Sequence, residues 1–164
     1  MPSDRDIFIR AMRSVATSVT VVTTEGPSGV HGATVSSFTS LSADPPSVLV
    51  CLRTQSRIAR AVSQNGVFCV NVLSERDRTT ADTFAGRFDD TRADRFADIH
   101  CRRHTGHGPV IGDSTAFACE VQGVLEHASH TVFIGRVDDV NLGKDLPLTY
   151  LDGQYRSMSQ PTNH

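Results

Sequence analysis

Short hydroxyl side chains crowd one stretch of this chain. Between His31 and Pro46 lie Thr34, Ser36, Ser37, Thr39, Ser40 and Ser42, with Val35, Phe38 and Leu41 interleaved so that a core can hold the segment. Hydroxyls and backbone amides offered from a partly apolar segment suit a flat polar or phosphorylated ligand, although the same composition also describes a solvated turn. A second concentration of donors follows at Arg53-Thr54-Gln55-Ser56-Arg57. Arginine presents a fixed cationic fork, Ser56 a hydroxyl, and a helix starting here adds unpaired amides and the positive end of its dipole, which together form a donor set for phosphate. An ordinary capped helix with two solvated arginines is the alternative reading.

Two other groups of residues could do chemistry. His100, Cys101, His104 and His107 fall within eight positions, a density that could ligate zinc. Arg102 and Arg103 stand between them and would repel a cation, and no second cysteine is near, so no metal site is assigned. His130 sits between two strand-like runs, where its ring either meets a substrate or occupies a plain hairpin. No G-x-S-x-G elbow is present to support a serine nucleophile.

The elements that must position these residues are mostly strands. Ser3 or Asp4 caps a helix over 3–14, with Ile7, Phe8, Ala11 and Met12 on one side to cover an end of a sheet. Residues 18–24 and 30–38 alternate as two strands of a hairpin, and 47–52 reads as a buried strand after Pro45-Pro46. Ser56 caps the next helix, whose inner face is Ile58, Ala61 and Val62 and whose stop is Asn65-Gly66. A strand over 67–73 precedes a helix over 74–84. Residues 85–113 read as a long mixed-charge loop anchored by Phe84, Phe88 and Phe96, and a loop of that length points to a functional flap. Long strands over 115–126 and 131–142 and a short turn-containing segment over 148–158 complete the chain. Strands predominate and no βαβ rhythm with a glycine-rich first turn exists, which excludes a Rossmann fold and favours an antiparallel barrel.

A chain of 164 residues is most simply one domain, here 1–158 with a loose tail at 159–164. The net charge of -2 and 21% charged residues provide no basic field, so neither nucleic acid nor an anionic membrane is expected as a partner. Four cysteines without CxxC spacing read as free thiols of a reducing compartment. The N-terminus lacks the apolar region of a signal peptide and no apolar run could span a bilayer, so a cytoplasmic protein is expected.

His31-Gly32-Ala33-Thr34-Val35-Ser36-Ser37-Phe38-Thr39-Ser40-Leu41-Ser42-Ala43-Asp44-Pro45-Pro46, with the β-like runs at 15–24 and 47–52 on either side, resembles the flavin reductase family. These are the short-chain NAD(P)H:flavin oxidoreductases that serve two-component monooxygenases, and the likeness spans roughly residues 8–158. It implies an FMN-binding split β-barrel, antiparallel and Greek-key-like with a few flanking helices, usually a homodimer. A site shared between two subunits would relieve the shortage of space in so small a chain. By the same resemblance, flavin contacts fall on Thr34, Val35, Ser36 and Ser37, on Cys51, Leu52, Arg53, Ser56 and Arg57, and on Phe84, Ala85 and Gly86. Tyr155 matches the family's C-terminal Gly-x-Tyr segment, with core packing as its plain alternative.

Residues 130–137 resemble the family's Gly-Asp-His-x-x-x-x-Gly-x-Val signature, with Ala128-Ser129 in place of Gly-Asp. His130 is therefore the implied residue at the nicotinamide, but serine can only hydrogen-bond the ring that aspartate would also charge, so a positioning role is expected. The implied activity is transfer of a hydride from NADH or NADPH to FMN or FAD, with the reduced flavin passing to a partner monooxygenase. The alternatives are a flavin-holding carrier or electron-transfer barrel without turnover, and an interaction or metal-binding barrel without flavin.

Overall fold

The computed structural model describes residues 1–104 and 106–158; the side chains of Arg103 and His104 and the expected tail at 159–164 lie outside the described residues. The chain opens with α1 (Asp4–Arg13), where the Ser3 hydroxyl accepts from the Asp6 amide at 3.2 Å and the Asp6 carboxylate accepts from the Ser3 amide, a reciprocal cap. The helix is where its spacing predicts, but none of its residues is buried. Ile7, Phe8 and Met12 stay 52%, 65% and 50% exposed, so within one chain α1 does not cover the sheet.

There follow β1 (Thr17–Ser18), β2 (Thr20–Gly26), β3 (Gly29–Val35), β4 (Phe38–Ala43), β5 (Pro46–Arg53), α2 (Arg57–Asn65), β6 (Val67–Val72) and α3 (Arg78–Phe84). The second half holds β7 (Cys101–His104), β8 (Gly108–Ile111), β9 (Thr115–His127), β10 (His130–Asn141), β11 (Thr149–Leu151) and β12 (Gln154–Arg156). Seven strands form one antiparallel sheet in the order β3-β2-β6-β9-β10-β5-β4. Its two edges, β3 and β4, are separated in the chain only by Ser36 and Ser37, so the sheet must curl until its ends meet at that corner. The result is a barrel with an open seam: the antiparallel barrel that the strand pattern favours, in the split form that the family resemblance implies.

Val22, Val50, Leu52, Phe68, Val70, Cys119 and Phe133 fill the barrel, together with Ile58 and Val62 from α2. A second cluster of Val19, Val21, Leu73, Ala81, Phe84, Ile111 and Leu148 seats α3. Five successive residues of β2, Thr20 to Thr24, are buried, although its alternation predicts one covered face. Val22 turns toward α2, while Thr23 on the opposite face donates to the Pro109 carbonyl of β8 at 2.7 Å. Asn71 ties the same strands together: its amide nitrogen donates to the Val21 carbonyl at 3.1 Å and its oxygen accepts from the Ile111 amide at 2.9 Å.

Three sequence expectations change. The hydroxyl-rich residues 39–43, whose composition also describes a solvated turn, form the edge strand β4, whose Thr39, Ser40 and Ser42 are exposed. The helix expected from Ser74 begins at Arg78, because the Ser74 amide and hydroxyl both donate to the Asp77 carboxylate and close a turn first. The second half of the supposed 85–113 loop is the β7–β8 hairpin, which leaves the irregular segment at 85–100.

Candidate functional site

A cleft of about 870 Å³ lies between edge strand β3, the start of α2, the end of α3 and the irregular segment that follows it. That volume falls within the range of pockets that enclose cofactor-sized ligands. One wall is β3 from Val30 to Thr34; the second carries Arg53, Ser56, Arg57 and Ile58; the third carries Phe84, Ala85, Asp89 and residues 92–96.

The second wall is built as its sequence predicts. The Ser56 hydroxyl accepts from the Ala59 amide at 3.2 Å and donates to the Arg53 carbonyl at 2.6 Å, which folds the end of β5 tightly onto the first turn of α2. Gly66, with φ of 71°, ends that helix. Arg53 and Arg57 therefore flank a helix start from both sides, and neither guanidinium has an ion-pair partner among the described residues. Two cations beside the positive end of a helix are donor types that suit an anion.

The third wall rests on β3 through a close approach at Gly32. A methyl group there would come within 2.7 Å of Phe84 Cε1 and 3.0 Å of Phe96 Cζ, so only glycine lets the two rings, stacked edge to face at 4.9 Å, lie on the strand. Thr34 adds a tether, its hydroxyl donating to the Ala81 carbonyl of α3 at 2.6 Å. Arg95 fastens the segment itself, donating to the carbonyls of Gly32 and Phe84, each at 3.1 Å, and to both oxygens of Asp89 at 3.0 and 2.7 Å. Those bonds hold the Asp89 carboxyl below its ordinary pKa, with the positive field of Arg57 acting in the same direction.

Of the residues singled out by sequence, Thr34, Arg53, Ser56, Arg57, Phe84 and Ala85 share the walls of this cleft. Val35 is half-buried against the barrel core, whereas Leu52 is 2% exposed and can offer only its backbone to a ligand. Ser36 is exposed at the corner between β3 and β4. The Ser37 hydroxyl donates to the Cys51 carbonyl at 2.5 Å, which joins that corner to β5. Gly86, at φ of 87°, lies behind the wall against Arg95 and Asp89. His130 begins β10 directly across from Arg53, with its Nδ1 3.0 Å from the Ser129 hydroxyl, and so stands beside the cleft rather than among its walls.

Tyr155 lies outside the cleft. It packs in the cluster behind Phe84 and donates to Asp82 of α3 at 2.9 Å; burial, with the Asp82 bond second, pushes its phenol up to about 12. The short sheet β1-β11-β12 carries it to the far side of α3. In the histidine-rich segment, His107 Nε2 pairs with Asp138 at 2.9 Å, and no group of three or more metal-ligating side chains gathers among the described residues; His104 and Thr105 are beyond that description. Asp89, Arg92 and Arg95 are wall residues that sequence reasoning did not single out; the length and mixed charge of the segment after α3 were the available signal.

Known proteins agree with this architecture. FMN reductase (NADH) RutF 1 of Methylorubrum extorquens is 37% identical over 161 residues, covering 96% of this chain and 79% of the relative. The reductase component of the 4-nitrophenol 4-monooxygenase/4-nitrocatechol 2-monooxygenase of Rhodococcus opacus is 34% identical over 155 residues, covering 94% and 81%. The solved structure of flavin reductase PheA2 in its native state superimposes with a TM-score of 0.87 at 32% identity, covering 97% of this chain and all 100% of that one. The family model described as the flavin reductase like domain matches residues 12–159, and with a split barrel of the same architecture around its cleft, this chain belongs to that family.

Proposed function

We propose that this chain is an NAD(P)H-dependent flavin reductase that holds FMN or FAD in the cleft beside β3, takes a hydride from NADH or NADPH, and releases reduced flavin to a monooxygenase partner. The observation that carries the reading is the cofactor-sized cleft with Arg53 and Arg57 flanking the capped start of α2 on one wall. These donors fit a phosphorylated flavin tail in charge. The names of the two relatives, an NADH-dependent FMN reductase and a monooxygenase reductase component, support the donor and the destination of the electrons.

Flavin held in the cleft would supply the redox chemistry as the hydride acceptor. The chain supplies position. Arg53 and Arg57 would hold the phosphate at the helix start that Ser56 caps; the backbone of Thr34, Val35, Ser36 and Ser37 would meet the polar edge of the ring; Cys51 and Leu52 would back it; Phe84 and Ala85 would support the opposite side, with Gly86 behind them. His130, across the ladder from Arg53, orients the nicotinamide. Residues 1–158 act as one domain. A second copy covers the apolar side chains of α1 and those of Leu41, Val140 and Leu142, which a single chain leaves exposed, and so makes a homodimer. Four free cysteines support a reducing, cytoplasmic setting, and no helix among the described residues is long and apolar enough to cross a membrane.

Mixing catalytic amounts of the protein with excess FMN and NADH under air tests the reading. Nicotinamide absorbance is expected to fall steadily over many turnovers. Loss of a single equivalent would instead mark a flavin carrier, and no uptake of FMN or FAD would overturn the assignment. Repeating the assay with NADPH, and with FAD, ranks the donors and acceptors.

A further inference from the structure

Arg95 makes more side-chain hydrogen bonds than the other described cleft residues. It binds the end of α3 through the Phe84 carbonyl, the edge strand through the Gly32 carbonyl, and the segment after α3 through both oxygens of Asp89. Those three pieces are the walls on either side of the cleft's inner corner. The chain accommodates this clip at Gly86, whose left-handed φ of 87° brings the backbone so close that an added Cβ would lie 2.9 Å from both Arg95 Nη2 and Asp89 Oδ2.

The electrostatics point the same way. Asp89 is an anion on the wall of a cleft whose opposite side offers Arg57, and Arg57 is near enough to help keep the carboxylate ionised. An unpaired carboxylate there would compete with a phosphate for Arg57 and repel it. With both of its oxygens engaged by Arg95, Asp89 presents a neutralised pair to the cleft.

We infer that Arg95 is the positioning residue that fixes residues 85–99 as a wall of the flavin cleft and neutralises Asp89, so that Arg57 is left for the ligand's phosphate. This rests on the flavin reductase reading given above. Arg95 acts on affinity for the phosphorylated flavin and leaves the hydride step alone.

The test is Arg95→Met, with Arg95→Lys and the double variant Arg95→Met/Asp89→Asn beside it, titrated with FMN and with riboflavin, which lacks the phosphate. Arg95→Met is expected to raise the FMN Kd and KM about tenfold or more, with kcat at saturating FMN and the KM for NADH within about twofold of the parent. Riboflavin affinity should fall less. Adding Asp89→Asn should restore part of the FMN affinity, a non-additivity that loss of folding would not produce. Arg95→Lys keeps the charge without the fork and should fall between parent and Arg95→Met. If Arg95→Met does not fold, Arg95→Lys carries the same comparison. FMN affinity within about twofold of the parent in a folded variant, or equal losses for FMN and riboflavin, would overturn the inference. Hydrogen exchange over 86–99, read without ligand, should accelerate in Arg95→Met whether or not the parent reduces flavin, which separates a failed clip from a failed functional assignment.

Discussion

Gly32 of β3 and Phe84 at the end of α3 approach so closely that a single added carbon on the glycine would fall 2.7 Å from the phenyl ring. This contact sets how near the helix and its following segment lie to the edge strand, and therefore the width of the cleft. Gly32→Ala should push Phe84 and Phe96 outward, destabilising the fold by about 1–3 kcal/mol. Denaturant unfolding would show the loss, and a flavin titration of the same variant should show weaker binding; an unchanged midpoint would mean that the rings yield freely.

Arg53 and Ser56 form a second test because they act through different physics. Arg53→Ala removes a cation from the cleft wall and should weaken flavin binding by about tenfold with little effect on stability. Ser56→Ala removes the cap of α2 and should cost about 1 kcal/mol of stability. The double variant should show both losses, and unchanged flavin affinity in it would refute the phosphate assignment.

Asp89 predicts an acid-side dependence. Its carboxyl is held below the ordinary 3.8 chiefly by hydrogen bonds from Arg95, so the ionised form is favoured by folding. That contribution is complete above the unfolded value and is lost as pH falls through the lower folded one. Asp89→Asn should therefore differ most from the parent near neutral pH, with the stability gap closing below 3.8. Unfolding curves collected from neutral to acid pH read the gap directly.

Tyr155 makes the opposite prediction. Burial and the bond to Asp82 raise its phenol to about 12, so folding favours the protonated form; the contribution is intact below the ordinary value of 10.0 and disappears as pH rises through about 12. Tyr155→Phe should abolish the tyrosinate absorbance step near 12 and cost about 1–2 kcal/mol at neutral pH by removing the donor to Asp82. Kinetics of the variant at saturating flavin should be unaltered, since the ring lies behind Phe84 and outside the cleft.

Local chemistry was legible wherever a few adjacent residues decide the structure. Ser3, Ser56, and Asn65-Gly66 mark helix ends through bonds made within one turn, and each of those helix ends lies where these residues predict. Arg53, Ser56 and Arg57 are legible as neighbours on one wall for the same reason. Sequence alone could not show that the Thr34 and Ser37 hydroxyls donate to Ala81 and Cys51, because those partners are 47 and 14 positions away. Tyr155 depends on a contact with Asp82, 73 positions distant, and Arg95 on Gly32, 63 positions distant. The apolar stripe of α1 was read correctly as a stripe, but periodicity reports only that a face wants cover and is silent on what supplies it.

The strand that forms one side of the cleft, β3, is laddered to β2 alone, and its other edge meets the open seam of the barrel. Side chains hold it to the third wall, the Thr34 hydroxyl on the Ala81 carbonyl and the Arg95 guanidinium on the Gly32 carbonyl, in place of a row of cross-strand bonds. A berth of this kind, gripped by charges and side chains while the hull around it stays whole, suits the proposed role of surrendering its cargo to another enzyme after every cycle.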